Sequence, residues 1–458
     1  MYHAETWKGK IKLFSRILWP IMITQISLYA MNLVDTMMSS QVSTADLAGV
    51  AMGSSLWMPI MTGINGILMA VSPIVAQLVG SGRREEIGRT VTQALYVSVV
   101  IALAVVAGGG AVIDPLLGRM GLEPDVEHIA LHYLIGLSLG IIPLFASNVL
   151  RFFFDAQGFT RISMIIILLA VPFNMLLNYG FIFGNFGLPA LGGIGAAYAT
   201  AITYWIVFTI SMWMTFKVKA LQGFRLFLDW AKPSWKVWKE LLGVGIPIGL
   251  SIFFETSIFA VVTLMMGIMF DTNTIAAHQI AFSVTSLIFM IPLSIGMALT
   301  IVVGYSVGGG KLKAARRYSL LGVAGGVAII AICSVILFFT RMPVAQLYDP
   351  EPDVAAMAVV FLIIAIFYQL SDTLQITLQS VLRGYKDVQK PFLIAFVSYW
   401  IVGIPAGYAL SSYTELGPYG FWAGIIIGLT CAAAGFAVRL FKVQKRHNGE
   451  DTLALKEA

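Results

Sequence analysis

The stretch from Ile17 to Met38, ILWPIMITQISLYAMNLVDTMM, decides the fold because it is a long apolar run with a single charged residue, Asp35. An α-helix rises 1.5 Å per residue, so about 20 apolar residues cross a hydrocarbon core of about 30 Å. We therefore predict a transmembrane helix here. Its carboxylate lies at a depth where an ionisable group is costly and, as a rule, functional.

The whole chain has the composition of a membrane protein. Of its 458 residues 58% are hydrophobic and 11% charged, with a mean hydropathy of +0.86. A soluble domain has roughly 45–50% apolar and 25% charged residues. The apolar runs are continuous, which favours helices over a β-barrel. We predict an all-α polytopic membrane protein with twelve transmembrane helices, at about 17–38, 47–72, 91–113, 128–150, 162–184, 193–216, 240–267, 274–303, 318–340, 354–382, 391–411 and 417–440.

Basic residues give the orientation, because Lys and Arg are retained on the cytoplasmic side. An even number of spans puts both termini on one side. If that side is the cytoplasm, all of the 29 basic residues except Arg119 and Arg341 lie in inner segments. We predict cytoplasmic termini and a multi-pass protein of the cell (inner or plasma) membrane. The net charge of +6 then reflects topology and does not indicate nucleic-acid binding.

The sequence contains an internal repeat. The segment VGSGRREEIGR (79–89) matches VGGGKLKAARR (307–317) at a shift of 228 positions, and QGFTR (157–161) matches RGYKD (383–387) at a shift near 226. We predict two lobes of six helices, residues 1–227 and 228–458. Corresponding helices enter from the same side, so the lobes are related by a pseudo-two-fold axis along the membrane normal.

Charged residues inside the predicted spans are few. Among the 23 acids only Asp35, Glu255 and Asp372 lie well inside, and we find no Lys or Arg in a span core. Stripes of carboxylate, amide and hydroxyl groups suit a hard cation such as Na⁺, and a carboxylate can instead carry a proton. Polar stripes can also hold helices together. The polar neighbours, which we take as candidates for a substrate cavity or ion site, are Gln25, Asn32, Asn174, Asn178, Ser251, His278, Tyr368, Gln375 and Gln379.

Several motifs resemble the multidrug and toxic compound extrusion (MATE) transporters of the NorM-type branch. They are NLVDTMM, FFETSIF, AAHQIAF, YQLSD followed by LRGYKD, and LGGIGAAYAT. The resemblance covers nearly the whole chain and implies the MATE fold, with export of organic cations and drugs by antiport with inward Na⁺ or H⁺. It favours Na⁺. By motif match it implies an ion site in the N-terminal lobe from Asp35, Asn174, Asn178 and Thr200, and one in the C-terminal lobe from Glu255, Asp372 and Tyr368.

Other mechanisms lack the residues they need. The segment YSVGGGKL (305–312) lacks the first Gly and the final Ser or Thr of a P-loop, so we predict no use of ATP. The five His residues show no metal spacing, so we predict no enzyme, no cofactor and no metal beyond Na⁺. The sequence leaves a channel as one alternative function. The main alternative is a lipid or lipid-linked saccharide flippase of the same superfamily. We expect a monomer whose partners are the bilayer and small cationic drugs and dyes.

Overall fold

A computed structural model describes residues 4–348 and 351–457, with side chains described up to residue 447. All secondary-structure elements in the described residues are helices. The elements are α1 (Trp7–Ser40), α2 (Thr44–Leu68), α3 (Val71–Gly80), α4 (Arg84–Gly118), α5 (Pro124–Ser138), α6 (Ile141–Ala156), α7 (Thr160–Phe183), α8 (Gly193–Lys217), α9 (Lys219–Gln222), α10 (Trp235–Met269), α11 (Thr272–Gly308), α12 (Leu312–Tyr348), α13 (Pro352–Gly384), α14 (Gln389–Phe396), a π-helical segment (Val397–Gly403), α15 (Ile404–Tyr413) and α16 (Tyr419–Glu457).

Twelve spans are predicted, and the structure agrees with this number when one bent pair of helices is counted as a span. In the described residues 11 helical segments are long and apolar enough to cross a membrane, and the pair α5 and α6 makes up to 12. These two helices are bent by 51° at their break. Gly140 lies in the break, and a Cβ there would come within 2.7 Å of the Ala201 backbone in α8. The bend therefore occurs where the chain approaches α8 too closely for a side chain.

The chain forms two compact units. One contains residues 19–249 and is called the N-terminal unit below; the other contains residues up to 18 together with those from 250 onwards and is called the C-terminal unit. The helices α1 and α10 each contribute residues to both units. The lobe boundary predicted at 227 and 228 lies in the segment between α9 and α10 and stays a prediction.

The first repeat is visible as two identical helix ends. Gly82 and Gly310 follow α3 and α11 with φ of 75° and 67°, the left-handed region where glycine carries no Cβ penalty. In each case the next residue closes the helix by a backbone hydrogen bond. Arg83 N–H donates to Leu78 O (3.1 Å), and Lys311 N–H donates to Ser306 O (2.8 Å).

The second repeat needs a different register from the one that its letters suggest. Gly158 and Lys386 both have positive φ, 83° and 57°. Phe159 N–H donates to Phe154 O (2.9 Å), and Asp387 N–H donates to Leu382 O (3.0 Å). The shift is again 228 positions, so the predicted shift near 226 is wrong. A shift of 226 pairs Gly158 with Gly384, which lies two residues before the residue with positive φ. In the second half that residue is Lys386.

Candidate ion sites

In the N-terminal unit three helices bring polar groups to Asp35. Asp35 lies on α1, Asn178 on α7 and Thr200 on α8. Asn178 Nδ2 donates to Asp35 Oδ1 (2.5 Å), and the Thr200 hydroxyl donates to Asp35 Oδ2 (2.9 Å). Both carboxylate oxygens are therefore bound by neutral donors. Among the described residues, no Lys or Arg forms an ion pair with Asp35.

Two asparagines of α7 continue this network away from the carboxylate. Asn178 Nδ2 also donates to Asn174 Oδ1 (3.1 Å), and Asn174 Nδ2 donates to Thr203 Oγ1 (3.4 Å). Both asparagines are completely buried. The other amide oxygen, Asn178 Oδ1, is buried and has no hydrogen-bond donor. All four residues predicted for the N-terminal site are thus neighbours, and the site contains an acceptor oxygen that lacks a partner.

In the C-terminal unit an amide joins two carboxylates. Gln375 Nε2 donates to Glu255 Oε1 (2.9 Å) and lies 3.5 Å from Asp372 Oδ1. Tyr368 donates its hydroxyl to Asp372 Oδ2 (3.4 Å). Glu255 comes from α10, and the other three residues come from α13 at helical spacing, so they share one face of that helix. The predicted Glu255, Asp372 and Tyr368 are brought together, and Gln375 links them.

The C-terminal cluster also contains acceptor oxygens without donors. Gln375 is completely buried, and its Oε1 has no hydrogen-bond partner. Tyr399, in the π-helical segment, is 1% exposed, and its hydroxyl has no partner either. Tyr399 interacts electrostatically with Glu255 and Asp372. The sequence reasoning missed it because Tyr399 follows no polar stripe.

A buried basic residue lies at the end of a span in the C-terminal unit. Arg383 lies in the last turn of α13 and is only 5% exposed. Its Nη2 donates to Gln379 Oε1 (2.8 Å), and its guanidinium interacts electrostatically with Glu255. The hydropathy pattern ended the span just before Arg383, because a charge normally marks the interface. In the structure this charge lies inside the protein, next to the predicted ion site.

A buried charged pair lies near the end of α6 in the N-terminal unit. Arg151 and Asp155 lie one turn apart on α6, both buried, and they interact electrostatically. Asp155 accepts a hydrogen bond from the Ser163 hydroxyl (2.7 Å), and Arg151 Nε has no partner. These residues follow the predicted fourth span and were assigned to an inner loop. They were missed because a charged pair on a buried helix looks, in sequence, like the start of a loop.

Arg151 lines a small cavity inside the N-terminal unit. The cavity has a volume of about 30 Å³, enough for about two water molecules. Its lining includes Met31, which lies one turn before Asp35 on α1, and Tyr204, which lies one turn after Thr200 on α8. Along both helices, therefore, the cavity begins one turn from the Asp35 site and reaches Arg151.

His278 is fully engaged in packing. The Trp422 indole N–H donates to His278 Nδ1 (2.9 Å), and His278 Nε2 lies 2.9 Å from Thr263 Oγ1. Because Nδ1 accepts, the proton of the neutral ring is on Nε2 and is donated to Thr263. The Trp422 ring in turn packs against Tyr368 (5.5 Å between centroids). His278 thus supports the tyrosine that binds Asp372, and its assignment to a substrate cavity stays untested.

The remaining candidates lie in different surroundings. Ser251 is buried one turn before Glu255, and Gln379 is buried against Arg383. Gln25 is half-buried, and Asn32 is exposed. Ser251 and Gln379 border the C-terminal cluster, whereas neither Gln25 nor Asn32 is among the groups that bind Asp35. Their roles as substrate contacts stay predictions.

Each unit therefore presents an oxygen-rich site built on a buried or half-buried carboxylate. Carboxylate, amide carbonyl and hydroxyl oxygens are the ligands of hard cations. An ionisable group inside a membrane helix bundle marks a path for an ion, a proton or a substrate. A polytopic helical protein with one such site in each of two units belongs, by fold and site, to the class of membrane transporters.

Solved structures share this fold. The chain matches a eukaryotic MATE transporter, AtDTX14, with a TM-score of 0.85 and 20% identity over 96% of this chain and 98% of that chain. It also matches the outward-facing conformation of a multidrug resistance MATE family transporter of the MOP superfamily. That match has a TM-score of 0.87 and 22% identity over 95% of this chain and 96% of that chain. The all-helical MATE fold is thereby shown.

Sequence comparisons give the family. The MatE family model matches residues 20–180 and 247–409. A protein of Oceanobacillus iheyensis named probable multidrug resistance protein NorM is 49% identical over 97% of this chain and 100% of its own length. A Bacillus subtilis protein of the same name is 49% identical over 98% of this chain and 99% of its own length. The chain belongs to the MatE family of membrane transporters and is not an enzyme.

Proposed function

We propose that this chain is a secondary active multidrug exporter. It moves organic cations and related drugs out of the cell by antiport with inward Na⁺ or H⁺, and it alternates access between two lobes. Asp35, Asn174, Asn178 and Thr200 hold a coupling ion in the N-terminal lobe. Glu255, Asp372 and Tyr368, with Gln375, hold one in the C-terminal lobe. The NorM relatives, named as multidrug resistance proteins, support this choice of cargo.

One observation carries the proposal. In each unit a carboxylate lies beside a completely buried amide oxygen that has no hydrogen-bond donor, Asn178 Oδ1 in one unit and Gln375 Oε1 in the other. A buried acceptor without a donor is costly, and native proteins satisfy such atoms with water or a ligand. The amide nitrogen now faces each carboxylate, and an amide that turned over would present this oxygen to a monovalent cation bound at the carboxylate. Coupling follows when ion and cationic cargo compete for the same negative charge.

The energetics favour more than one ion per cycle. Export of a monovalent cation against a hundredfold gradient costs about 2.7 kcal/mol, and against 100 mV about 2.3 more. One monovalent cation entering down a tenfold gradient and 100 mV releases about 3.7 kcal/mol. One ion is therefore insufficient for this load. A separate site in each lobe supplies the second.

The test is dye efflux from proteoliposomes that contain the purified full-length chain. A Na⁺ gradient and a pH gradient are imposed separately, and export of a fluorescent cationic dye is followed. We expect at least one gradient to drive efflux above protein-free vesicles. Movement of a lipid-linked saccharide with no dye export would instead identify a flippase. Ion conductance that does not depend on an imposed gradient would identify a channel.

Two substitutions connect the transport to the C-terminal site. Glu255→Gln and Asp372→Asn keep the shape of each side chain and remove its charge. We expect each to abolish gradient-driven efflux while the protein stays in the membrane. A matched control is Arg84→Gln, since Arg84 is an exposed residue at the start of α4. Full transport by both acid variants would rule out this site as the coupling site.

A further inference from the structure

In each unit we consider a set of two acids and one arginine inside the helices; the buried Lys10 of α1 is not part of either set. In the C-terminal unit they are Glu255, Asp372 and Arg383, of which Asp372 and Arg383 are 3% and 5% exposed. In the N-terminal unit they are Asp35, Asp155 and Arg151, all buried. With every group ionised, each set carries one net negative charge. The two sets lie within their own units, and each includes the carboxylate of a proposed ion site.

In the C-terminal unit the three charges are physically connected. Arg383 is held by Gln379 one turn earlier on α13 (2.8 Å) and interacts electrostatically with Glu255. Glu255 in turn shares the Gln375 amide with Asp372. A guanidinium keeps its proton in proteins, so its charge is permanent. Arg383 therefore cancels one of two negative charges in a place where an uncompensated charge is very costly.

We propose that Arg383 is the built-in counter-charge that sets the C-terminal site to accept one monovalent cation. This inference rests on the proposed function and adds the total positive charge that the C-terminal ion site accepts. One Na⁺ or one proton brings the three-residue set to neutrality. A second monovalent cation or a divalent cation would leave an excess positive charge inside the protein. Arg383 thus acts through Glu255 as a positioning and selectivity residue, and it does not itself bind the ion.

The internal repeat supports a role for the charge balance itself. At the shift of 228 positions fixed by the helix ends, Arg383 corresponds to Asp155 and Gln379 corresponds to Arg151. One equivalent pair, Asp155 and Arg383, therefore carries opposite charges, and in the other pair Arg151 corresponds to a neutral residue. Each half nevertheless reaches the same net value, because the C-terminal half has a second acid in its site and the N-terminal half does not. The balance is kept although the residues that produce it differ.

The experiment measures how cations stabilise the full-length protein in detergent. Asp35→Asn is the background, so that only the C-terminal site binds. Thermal unfolding is followed at pH 9 in increasing NaCl or CaCl₂, each against choline chloride of equal ionic strength. A ligand that binds the folded state stabilises it with a concentration dependence that reflects the number of ions bound. We expect a one-site dependence on Na⁺ and no specific effect of Ca²⁺.

Variants at position 383 then test the counter-charge. Arg383→Gln should change the Na⁺ dependence to two sites or create stabilisation by Ca²⁺. Arg383→Lys keeps the charge and should behave like the background. The double variant Glu255→Gln/Arg383→Gln restores one net negative charge and should return to one Na⁺ with no Ca²⁺ effect, even if Arg383→Gln alone does not fold. Arg84→Gln, at an exposed site, should change nothing.

The outcomes separate this inference from the proposed function. Unchanged one-site Na⁺ dependence and no Ca²⁺ effect in Arg383→Gln would overturn the inference, as would absence of any Na⁺ effect in the background. If Arg383 sets the valence as expected but the vesicles show no gradient-driven efflux, the proposed function fails and the inference stands. If efflux is normal and Arg383→Gln leaves the valence unchanged, only the inference fails.

Discussion

Asp35 shows how a carboxylate is kept inside a helical unit by neutral hydrogen-bond donors, with no ion pair to any residue that the structure describes. Its two oxygens accept hydrogen bonds from Asn178 and Thr200, which are neutral. Neutral donors stabilise the charge without cancelling it, so a net negative charge remains for an incoming cation. Glu255 differs, because Arg383 lies within electrostatic range of it. The two units thus use different side chains to keep a carboxylate inside the protein.

Asp35→Asn tests the N-terminal site at the residue scale. The substitution keeps the size of the side chain and removes the charge that attracts the coupling ion. We expect gradient-driven dye efflux to fall at least tenfold in proteoliposomes, with normal recovery of folded protein. Asp114→Asn is the matched control, since Asp114 is an exposed acid on α4. Equal efflux by the two variants would contradict a coupling role for Asp35.

For His278 we expect a role in stability and no role in ion coupling. Both ring nitrogens are hydrogen-bonded, to Trp422 and to Thr263, so the ring has a structural role. His278→Phe leaves the Trp422 indole N–H without an acceptor, which costs about 1–3 kcal/mol. We expect a lower thermal unfolding temperature and an unchanged dependence of efflux on Na⁺ and pH at a permissive temperature. A shifted ion dependence with unchanged stability would show that His278 takes part in coupling.

At the scale of helices, hydropathy predicted the spans well because a bilayer requires about 20 apolar residues in each. Hydropathy gave no information about helical residues that lie beyond the apolar run. The first span was predicted from residue 17, whereas α1 begins at Trp7. It also failed where charges are buried, since Arg151, Asp155 and Arg383 were read as the ends of spans. Burial depends on neighbouring helices, which a single-span pattern does not contain.

Two glycines allow α15 and α16 to approach closely. A Cβ on Gly424 of α16 would come within 2.2 Å of the Gly407 backbone in α15. Gly424→Ala must therefore separate the two helices, and overpacking of this kind costs about 1–3 kcal/mol. We expect a lower thermal unfolding temperature for the purified protein.

The matched control for this contact is Gly109→Ala. Gly109 lies inside α4 and has no atom within 4 Å of an added Cβ. Alanine is a better helix former than glycine by roughly 0.5–1 kcal/mol. This variant should be as stable as the original or slightly more so. If both glycine variants were equally stable, close approach of α15 and α16 would not limit stability.

The segment before α10 is held by one side chain of α4. Gln93 is completely buried and accepts hydrogen bonds from Ser234 N–H (2.9 Å) and from the Trp238 indole N–H (2.7 Å). Its amide donates to Lys232 O (2.9 Å). Gln93→Met keeps the length of the side chain and removes all three bonds. We expect faster trypsin cleavage after Lys236, in the first turn of α10, in detergent, whereas Gln41→Met, at an exposed position, should leave the rate unchanged.

At the scale of the whole molecule, the distribution of charge proposes an orientation. All basic residues except Arg119 and Arg341 fall in segments that an even number of spans places on one side. Arg151 and Arg383 contribute nothing to this argument, because they are buried within the units. The bias remains without them. Cytoplasmic termini therefore remain our proposal for this multi-pass membrane protein.

Cysteine labelling tests this orientation in whole cells. Cys333 and Cys431 are first replaced by alanine. Single cysteines are then introduced as Glu123→Cys, just before α5, and as Lys313→Cys, in the first turn of α12; both positions are exposed. A membrane-impermeant maleimide should label Glu123→Cys in intact cells, and it should label Lys313→Cys only after the cells are opened. The reverse pattern would place the termini outside. The proposed cargo direction would then also reverse, because the basic loops that define the inner side would face the medium.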